Sequence, residues 1–377
     1  MSDKPYLFIA AYQCAVNLEE KIKEIEEEIR NTPYNKATEA HVGRLKAKLS
    51  KLRDEVQVRA SKKSAREGYD IRRSGDATVV IAGFPSVGKS TLLNKITSAQ
   101  SEVGEYDFTT LKIVPGIMLH RGARIQVLDT PGIVEGAASG KGRGREVISV
   151  IRGADLVVFL IDVFNPQQLE LLKKELQNAG IRVNEKSPDI VIKKRATDGI
   201  KINTTVDQDL DEKTIKDILN EYRIHNADVL IRQKITIEQL IDTIQGNRKY
   251  LPSIVAINKV DLASHEYLDE VELTEVAILI SAEKDLNLDK LKDEIYNALG
   301  FIRVFLKPPG EQADMQEPMM LRRGATVAGV CDRLHRDLKR NFRYAQVWGR
   351  SAKHSGQRAG LSHELIDEDI LTIVTRR

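Results

Sequence analysis

The sequence predicts an α/β protein built on a mostly parallel sheet, with a helical hairpin before it, an inserted α+β subdomain and a small mixed domain after it. Short, almost continuous apolar runs separated by helical stretches indicate strands that are buried on both faces. A gap of about 90 residues separates two of these runs, although one crossover helix needs far fewer. The length of this gap therefore predicts an insertion in the sheet domain.

Two stripes of apolar residues at helical spacing predict the N-terminal hairpin. The first stripe spans residues 18–29, and Asn17 with Glu20 forms the pattern of a capping box. A turn rich in helix breakers follows, and the second stripe spans residues 42–56. Most basic residues lie off the second stripe, so we expect them to point away from its packing partner.

Five apolar runs predict the parallel strands: Thr78–Ala82, Arg124–Leu128, Leu156–Ile161, Ile254–Ile257 and Val276–Ile280. The insertion carries its own alternating segment, Asp189–Ile192, and helical stripes at residues 215–219 and 237–241. Beyond Gly300, alternation at residues 302–306, a helical stripe at 327–338 and strand patterns at 344–348 and 370–374 predict a compact mixed domain. The predicted boundaries are 1–76 for the helical region, 77–166 with 248–300 for the sheet domain, 167–247 for the insertion and 301–377 for the last domain.

Composition excludes several classes of protein. A chain of 377 residues with 41% hydrophobic and 30% charged residues is typical of a folded protein with two or three domains, not of a disordered one. No apolar stretch reaches the ~20 residues of a membrane span, and the N-terminus lacks a signal pattern, so we expect a cytoplasmic protein. Cys14 and Cys331 predict neither a disulfide framework nor a zinc site.

The net charge of +3 is unevenly distributed. Residues 41–73 hold eleven bases and four acids, and residues 301–377 hold fourteen bases and nine acids. Both ends could face a polyanion such as RNA, whereas solvated helix faces are an equally strong interpretation of each cluster alone. Neither end interleaves aromatic residues with its bases, which favours folded RNA recognised by shape over stacked single strands.

A complete G-x-x-x-x-G-K-S loop spans Gly83 to Ser90, between an apolar strand and a helix. Glycine-rich backbone closes around phosphate oxygens, Lys89 reaches the β and γ phosphates, and the Ser90 hydroxyl binds Mg²⁺. The predicted nucleotide contacts in this segment are Gly83, Pro85, Ser86, Val87, Gly88, Lys89, Ser90 and Thr91.

Two segments at strand ends predict which base is bound. Asn258, Lys259 and Asp261 follow an apolar strand, and the Asp261 carboxylate matches the two adjacent donors of guanine, which adenine lacks. Ser281, Ala282 and Glu283 follow the last strand and are predicted to supply a backbone donor to guanine O6. The sequence therefore predicts that GTP is bound and ATP rejected.

The segment from Asp129 to Gly132 closes another strand and is the predicted switch hinge. Asp129 is expected to hold Mg²⁺ through water, and Gly132 to let the backbone approach the γ phosphate. Thr110, in a stretch of weak periodicity that suits a switch loop, is the predicted further metal ligand, with Thr109 as the competing choice. Ser90, Thr110 and Asp129 are thus the predicted metal set, and Lys89, Thr110 and Gly132 the predicted catalytic set.

Ile133 follows the hinge, where many GTPases carry a glutamine that orients water. The glycine-rich basic loop after it, residues 136–145, is predicted to be a mobile switch, with an inert exposed loop as the alternative.

Together the segments GFPSVGKST, YDFTTL, LDTPGIVEGAASGKGRGREV, NKVD and SAE resemble the developmentally regulated GTP-binding (DRG) family, relatives of the Obg GTPases. This resemblance implies a P-loop GTPase domain, a ubiquitin-like β-grasp (TGS) domain at residues 301–377, and a GTPase cycle tied to ribosomes and translation. A hydrophobic residue such as Ile133 is usual in that family. Relatives that use K⁺ often carry Asn where this chain has Ser86, so the dependence of this protein on K⁺ stays open. Whether a regulatory protein binds this chain also stays open.

Two hypotheses of function follow. The first is a slow GTPase switch, with Mg²⁺ as cofactor, GTP and GDP as ligands and the ribosome or rRNA as partner through the basic N-terminal helix and the TGS domain. The second is a nucleotide-gated RNA or protein adaptor that barely hydrolyses GTP. Ile133 favours the second hypothesis, and the complete set of Lys89, Ser90, Thr110 and Asp129 favours the first.

Overall fold

The computed structural model describes residues 18, 20–64, 75–97, 106–108, 111–132, 144–264, 266–267 and 276–375. The helices are α1 (residues 20–31), α2 (Glu39–Ser64), α3 (Lys89–Ile96), α4 (Gly144–Gly153), α5 (Gln168–Asn178), α6 (Glu212–Glu221), α7 (Ile237–Gln245), α8 (Leu288–Ala298), α9 (Val327–Leu334) and α10 (Arg336–Arg340). The strands are β1 (Ala77–Ala82), β2 (Tyr106–Phe108), β3 (Leu111–His120), β4 (Ala123–Asp129), β5 (Leu156–Asp162), β6 (Ile181–Val183), β7 (Ile190–Lys194), β8 (Ile200–Thr204), β9 (Ala227–Ile231), β10 (Lys249–Leu251), β11 (Ser253–Asn258), β12 (Ala277–Leu279), β13 (Phe301–Leu306), β14 (Met319–Arg322), β15 (Phe342–Trp348), β16 (Gln357–Ala359) and β17 (Asp369–Thr375).

The chain divides into two compact units. One combines Met1–Tyr69, Glu135–Ile148 and Lys173–Tyr250, and the other combines Asp70–Val134, Ser149–Leu172 and Leu251–Arg377. The first unit thus holds the predicted helical hairpin, most of the insertion and Glu135–Ile148 of the sheet domain, and the second holds nearly all the rest of the sheet domain and the last domain. The four predicted domain boundaries themselves stay predictions.

A seven-stranded sheet in the order β12-β11-β5-β1-β4-β3-β2 forms the centre of the second unit. The five strands from β12 to β4 run parallel, which confirms the five predicted apolar runs as parallel strands. Every residue of β1 is buried, as expected for a strand covered on both faces. Because these strands are parallel, their carboxyl ends meet at one edge of the sheet.

Two antiparallel strands extend this sheet beyond the prediction. β3 pairs antiparallel with β4, and β2 pairs antiparallel with β3. The stretch of weak periodicity predicted as a switch loop includes residues 108–110, and this prediction is wrong for Phe108, which ends β2. Pro115 and Gly116 interrupt the apolar pattern of β3 and weaken its strand signal, and pairing along the whole of β4 outweighs them.

The last domain is a five-stranded sheet in the order β14-β13-β17-β15-β16 with α9 and α10 packed on one face. The predicted strands at residues 302–306, 344–348 and 370–374 are confirmed. The single predicted helix is instead two, because the backbone at His335 is extended and its ring accepts a hydrogen bond from the Asp337 N–H. Cys331 is buried in this core.

Two ion pairs join this last domain to the start of the parallel strands. Arg333 pairs with Asp76 (2.8 Å), which precedes β1, and Arg322 pairs with Asp155 (3.2 Å), which precedes β5. The domain therefore contacts the edge of the sheet where strands begin, opposite the edge where they end.

In the first unit, α2 packs on helices of the insertion. Val42, Leu45 and Ala47 are buried, and Ala47 shares a core with Ile215 and Ile218 of α6. The insertion adds the three-stranded sheet β7-β9-β8, which confirms the predicted alternating segment, and the predicted helices at 215–219 and 237–241 lie within α6 and α7. α1 contacts α2 through an ion pair between Glu26 and Arg53 (2.7 Å).

The expected direction of the basic residues on α2 is wrong at three positions. Lys46 forms an ion pair with Glu238, Lys51 bonds the carbonyl of Glu221, and Arg53 pairs with Glu26. The long side chains of these bases reach around the apolar stripe to carboxylates and carbonyls that flank it. Lys48, by contrast, is exposed.

Among the described residues, no helix combines the length and apolar character that crossing a membrane requires.

Candidate functional site

The phosphate loop lies at the carboxyl edge of the parallel sheet, between β1 and α3. Ser86 has φ 65° and Gly88 has φ 95°, so two positions of the loop are left-handed and turn the chain sharply before the helix. A Cβ at Gly88 would lie 2.4 Å from Nδ2 of Asn258, which explains why glycine is needed there. No side chain caps α3, so its first N–H groups remain available to an anion.

Lys89 is 8% exposed and bends back over the loop that carries it. Its Nζ donates to the carbonyls of Phe84 (2.7 Å) and Gly83 (3.3 Å). Burial lowers the pKa of Lys89, and the charge of Asp129 opposes that shift. The ammonium is thus held at the loop by weak carbonyl partners that phosphate oxygens can replace.

Ser90 and Asp129 lie in the same cavity as Lys89. The Ser90 hydroxyl donates to Oδ2 of Asp129 (2.5 Å), whereas Oδ1 of Asp129 is buried and has no hydrogen-bond partner in the described part of the chain. Burial raises the pKa of Asp129, against the effects of the Ser90 hydrogen bond and the Lys89 charge. A buried carboxylate oxygen without a partner fits a hard cation such as Mg²⁺.

A cavity of about 450 Å³ contains these groups. Its lining residues are Ser86, Gly88, Lys89, Ser90, Thr91, Asp129, Thr130, Pro131 and Gly132. Within the described ranges no group of three or more His, Cys, Asp or Glu residues could hold a metal. A Mg²⁺ ion here would keep several water ligands and add phosphate oxygens of the nucleotide to the oxygens of Ser90 and Asp129.

The hinge residues are held against the phosphate loop. The buried Thr130 hydroxyl donates to the carbonyl of Ile81 in β1 (2.9 Å), which fixes the segment after β4. A Cβ at Gly132 would lie 2.6 Å from the backbone nitrogen of Pro85, so only glycine permits this approach. The hinge and the phosphate loop thus form one wall.

Asn258 joins the two halves of the site. Its Nδ2 donates to the carbonyl of Val87 in the phosphate loop (2.9 Å), and its Oδ1 accepts the N–H of Ala282 (2.9 Å). Asn258 is 3% exposed, so both bonds are shielded from water. One side chain therefore fixes the two base-side segments to the phosphate loop.

Lys259 and Asp261 follow directly. Lys259 adopts φ 67°, and its Nζ pairs with Oδ2 of Asp162 at the end of β5 (2.6 Å). Asp261 lies in a short 3₁₀ turn, residues 260–262, with its side chain exposed. The turn leaves this carboxylate accessible to solvent, which a group predicted to hydrogen-bond the base of a nucleotide needs.

The other predicted base-side residues lie beside Asn258. Ser281 is fully buried and its hydroxyl accepts the N–H of Lys284 (3.1 Å), whereas Glu283 is exposed. The Ala282 N–H is already engaged by Asn258. A backbone donor to guanine O6 from this tripeptide stays a prediction.

Several predicted residues lie outside the described residues: Thr109, Thr110, Ile133 and most of the loop 136–145. Asp162 is a site residue that the sequence analysis did not select. An acid at the carboxyl end of a buried strand is the signal that would have found it, because the same placement identified Asp129 and Asn258. The carbonyl of Val87 carried no such signal, because every residue has one.

Comparisons with known proteins agree with this geometry. The family model described as a 50S ribosome-binding GTPase matches residues 78–194, the one described as the C-terminal region of the MMR_HSR1 domain matches residues 197–301, and the TGS domain model matches residues 302–375. An uncharacterized GTP-binding protein of Methanocaldococcus jannaschii is 56% identical over 96% of this chain and 94% of its own length.

Named relatives extend to eukaryotes. The Dictyostelium discoideum developmentally-regulated GTP-binding protein 1 homolog is 46% identical over 96% of this chain and all of its own length. Human developmentally-regulated GTP-binding protein 2 is 46% identical over 95% of this chain and 99% of its own. Fold and site together define a P-loop GTP-binding protein with a TGS domain. The chain belongs to the developmentally regulated GTP-binding (DRG) family.

Proposed function

We propose that this protein hydrolyses GTP to GDP and phosphate and acts in the cytoplasm as a nucleotide-dependent switch on the ribosome. The observation that carries the hydrolytic part is the convergence of Lys89, Ser90 and Asp129 on one cavity. Enzymatic phosphoryl transfer depends chiefly on positioning and on charge stabilisation, and these three side chains supply both.

Each residue has a distinct part in the proposed reaction. Lys89 exchanges its carbonyl partners for β and γ phosphate oxygens and stabilises the charge that develops on them. Ser90, Thr110 and Asp129 would hold Mg²⁺, which would supply further positive charge against the phosphates. The backbone at Gly132 approaches the γ phosphate, because no side chain separates it from Pro85.

Guanine recognition rests on the exposed carboxylate of Asp261. It accepts hydrogen bonds from N1–H and the exocyclic amine of guanine, and a site built for such donors rejects analogues that lack them by factors up to ~10⁴. The Asn258 hydrogen bond to the Val87 carbonyl supports this assignment, because it holds the segment that contains Asp261 close to the phosphate loop.

The second candidate function is a GTP-gated adaptor with negligible hydrolysis. Ile133 favours it, because no isoleucine side chain can orient water. Multiple-turnover phosphate release, measured with and without ribosomes, separates the two candidates. Release well above that of a Lys89→Ala variant supports the GTPase, and equal release from both proteins supports the adaptor.

The ribosomal part of the proposal rests on family likeness and on charge. The matching family model is described as a ribosome-binding GTPase, and the basic clusters suit rRNA. Lys46, Lys51 and Arg53 of α2 already have partners within the protein. The bases of the last domain are therefore the better candidates for contacts with rRNA. In the last domain, Lys339 pairs with Asp332 (2.7 Å), whereas Arg340 and Arg343 are exposed.

Sedimentation with ribosomes at two salt concentrations, with GTP analogue or GDP, tests this part. We expect the GTP form to bind more tightly and binding to weaken steeply with salt, because each neutralised phosphate releases condensed counterion. Arg340→Gln with Arg343→Gln should weaken binding, and Lys216→Gln, at an exposed helix pair with Glu212, is the matched control. Salt-independent sedimentation, or no loss in the double variant, would contradict ribosome binding through these bases.

A further inference from the structure

The hairpin formed by β15 and β16, residues 342–359, has an unusual composition. It holds Arg343, Arg350, Lys353 and Arg358 but no Asp or Glu. It also holds Trp348, the only tryptophan of the chain. A strand pair that concentrates positive charge beside aromatic rings differs from an ordinary solvated surface, where charges of both signs alternate.

Two aromatic residues of this hairpin, Tyr344 and Trp348, share one face of the TGS sheet. Ala345 and Val347 of β15 are buried in the core beneath α9, so alternation places Tyr344, Gln346 and Trp348 on the opposite face. Each of these three is half-buried. In the register, Tyr344 lies opposite Val374 and Trp348 opposite Ile370, while Gln346 lies opposite Arg358 of β16.

A cation lies over each ring. The Arg358 guanidinium carbon is 4.6 Å from the centroid of the Tyr344 ring, and Nζ of Lys307 is 4.7 Å from the Trp348 ring. Arg343 is near the same tyrosine, at 5.9 Å. These pairs align rings and positive charges along one surface. The linear sequence does not show this, because Lys307 follows β13 and Arg358 lies in β16, whereas both rings lie in β15.

The positive charge of this surface is not neutralised locally. Lys307, Arg343 and Arg358 form no ion pair with a carboxylate in the part of the chain that the structure describes. The nearby carboxylate of Asp369 is fully buried and accepts the N–H groups of Ser351 and Ile366. Charge complementarity therefore calls for an anionic partner, and the rings call for one with flat, stackable groups.

Trp348 lies close to Gly356, which directly precedes β16. A Cβ at Gly356 would lie 3.2 Å from Nε1 of the indole, and Gly356 has φ 73°. The glycine thus leaves room for the indole to lie close to β16. The ring is preorganised, so a ligand that stacks on it loses little side-chain entropy.

We propose that this face, made by Lys307, Tyr344, Trp348 and Arg358, binds unpaired RNA nucleotides. Bases stack on Tyr344 and Trp348 as Lys307 and Arg358 move from the rings to the flanking phosphates, which Arg343 also contacts. This inference rests on the proposed RNA-facing role and gives it a ligand class, single-stranded RNA. It also replaces the expectation that the basic ends lack interleaved aromatics and recognise only folded RNA.

Fluorescence of Trp348 tests the inference directly. Because no other tryptophan is present, base stacking on its ring quenches the tryptophan emission, and RNA bound elsewhere leaves the emission unchanged. The probes are a short oligouridylate, a duplex RNA of equal length and polyglutamate, added to the full-length GDP-bound protein. We expect quenching by oligouridylate that weakens with salt, and little quenching by the duplex or by polyglutamate.

Variants identify the groups involved, with fluorescence anisotropy of labelled oligouridylate as the readout. Tyr344→Leu should weaken binding about 5- to 150-fold, and Tyr344→Phe should retain it, because the ring is kept. Arg358→Gln should weaken binding, whereas Arg323→Gln, an exposed arginine in the same domain, should not. The Phe variant keeps the test informative if the Leu variant fails to fold.

The outcomes separate this inference from the proposed function. Oligouridylate that binds without quenching Trp348, or duplex or polyglutamate that quenches equally, would overturn the inference, even if ribosome sedimentation stays salt-dependent. Quenching that Tyr344→Leu reduces and Tyr344→Phe retains would support the inference, even if the protein fails to sediment with ribosomes.

Discussion

The side chain of Asn258 donates to the backbone carbonyl of Val87 over 2.9 Å, and this bond connects β11, which precedes the predicted base reader Asp261, to the phosphate loop. The two residues are 171 positions apart in the sequence. The distance between the base-reading and phosphate-binding ends of the site is therefore set by one buried amide.

Replacing Asn258 by Ala should destabilise the protein and weaken nucleotide binding together. Two buried backbone groups, the Val87 carbonyl and the Ala282 N–H, would lose their partners, at about 1–3 kcal/mol each. We expect a fall of roughly 2–6 kcal/mol in the free energy of unfolding, measured by urea titration without nucleotide. Asn203→Ala, on the insertion strand β8, is the matched control; equal effects of the two would contradict this role.

Asp261→Asn should exchange the nucleotide preference. The amide offers one donor where guanine needs an acceptor, so GTP binding should weaken and xanthosine triphosphate binding should improve. Calorimetric titration of both nucleotides checks this. Equal affinity of the unmodified protein for ATP and GTP would refute guanine recognition by Asp261.

Lys89→Ala should abolish turnover, whereas Ile133→Ala should change it modestly. The first removes the only described cation of the phosphate cavity, and the second removes a side chain that cannot take part in proton transfer or water orientation. Multiple-turnover phosphate release is the measurement. Normal hydrolysis by the Lys89 variant would assign the activity to a contaminant.

Asp242 should be one of the most sensitive positions of the insertion. Its carboxylate is 3% exposed and accepts from both Arg182 (2.8 and 2.9 Å) and Arg248 (2.9 Å). Asp242→Asn removes the carboxylate that Arg182 and Arg248 share and leaves Arg248 with Asp54 alone (3.2 Å), so we expect a loss of about 3–5 kcal/mol by urea denaturation. Asp209→Asn, at an exposed pair with Lys234, should have little effect; a comparable loss there would refute the argument from burial.

The contact between Lys46 and Glu238 predicts a pH dependence of stability. Burial alone would raise the pKa of Glu238, but the hydrogen bond and charge of Lys46 outweigh it and hold that pKa below its ordinary value of 4.5. A carboxyl with a depressed folded-state pKa stabilises the fold above its unfolded-state pKa, and this contribution disappears as the pH falls through the folded-state value.

Lys46→Gln should therefore lower the free energy of unfolding at neutral pH and flatten its decline below about pH 4.5. Lys48→Gln, on the same helix but exposed, serves as the control and should change neither. Urea titrations across this pH range make the comparison. If the two variants behave alike, the ion pair with Glu238 contributes nothing to folding.

The sequence predicted those parts of the fold and site that depend on local patterns. Gly83 to Ser90 and the residues at strand ends were identifiable because their spacing and position carry the chemistry. The partners of Lys46 and Lys51 were not, because they lie 192 and 170 positions away and nothing near either lysine indicates them. The same holds for Lys307 and Arg358, which meet aromatic rings only after strands pair.

The packing of α2 on α6 and α7 has a consequence for synthesis of the chain. Lys46 leaves the ribosome 192 residues before Glu238, and at 5–20 residues per second that interval is roughly 10 to 40 seconds. During this time the apolar stripe of α2 has no native cover, so the nascent helix must stay exposed or be shielded by a chaperone. Vectorial synthesis therefore makes the N-terminal helix one of the last parts of its unit to reach its final environment.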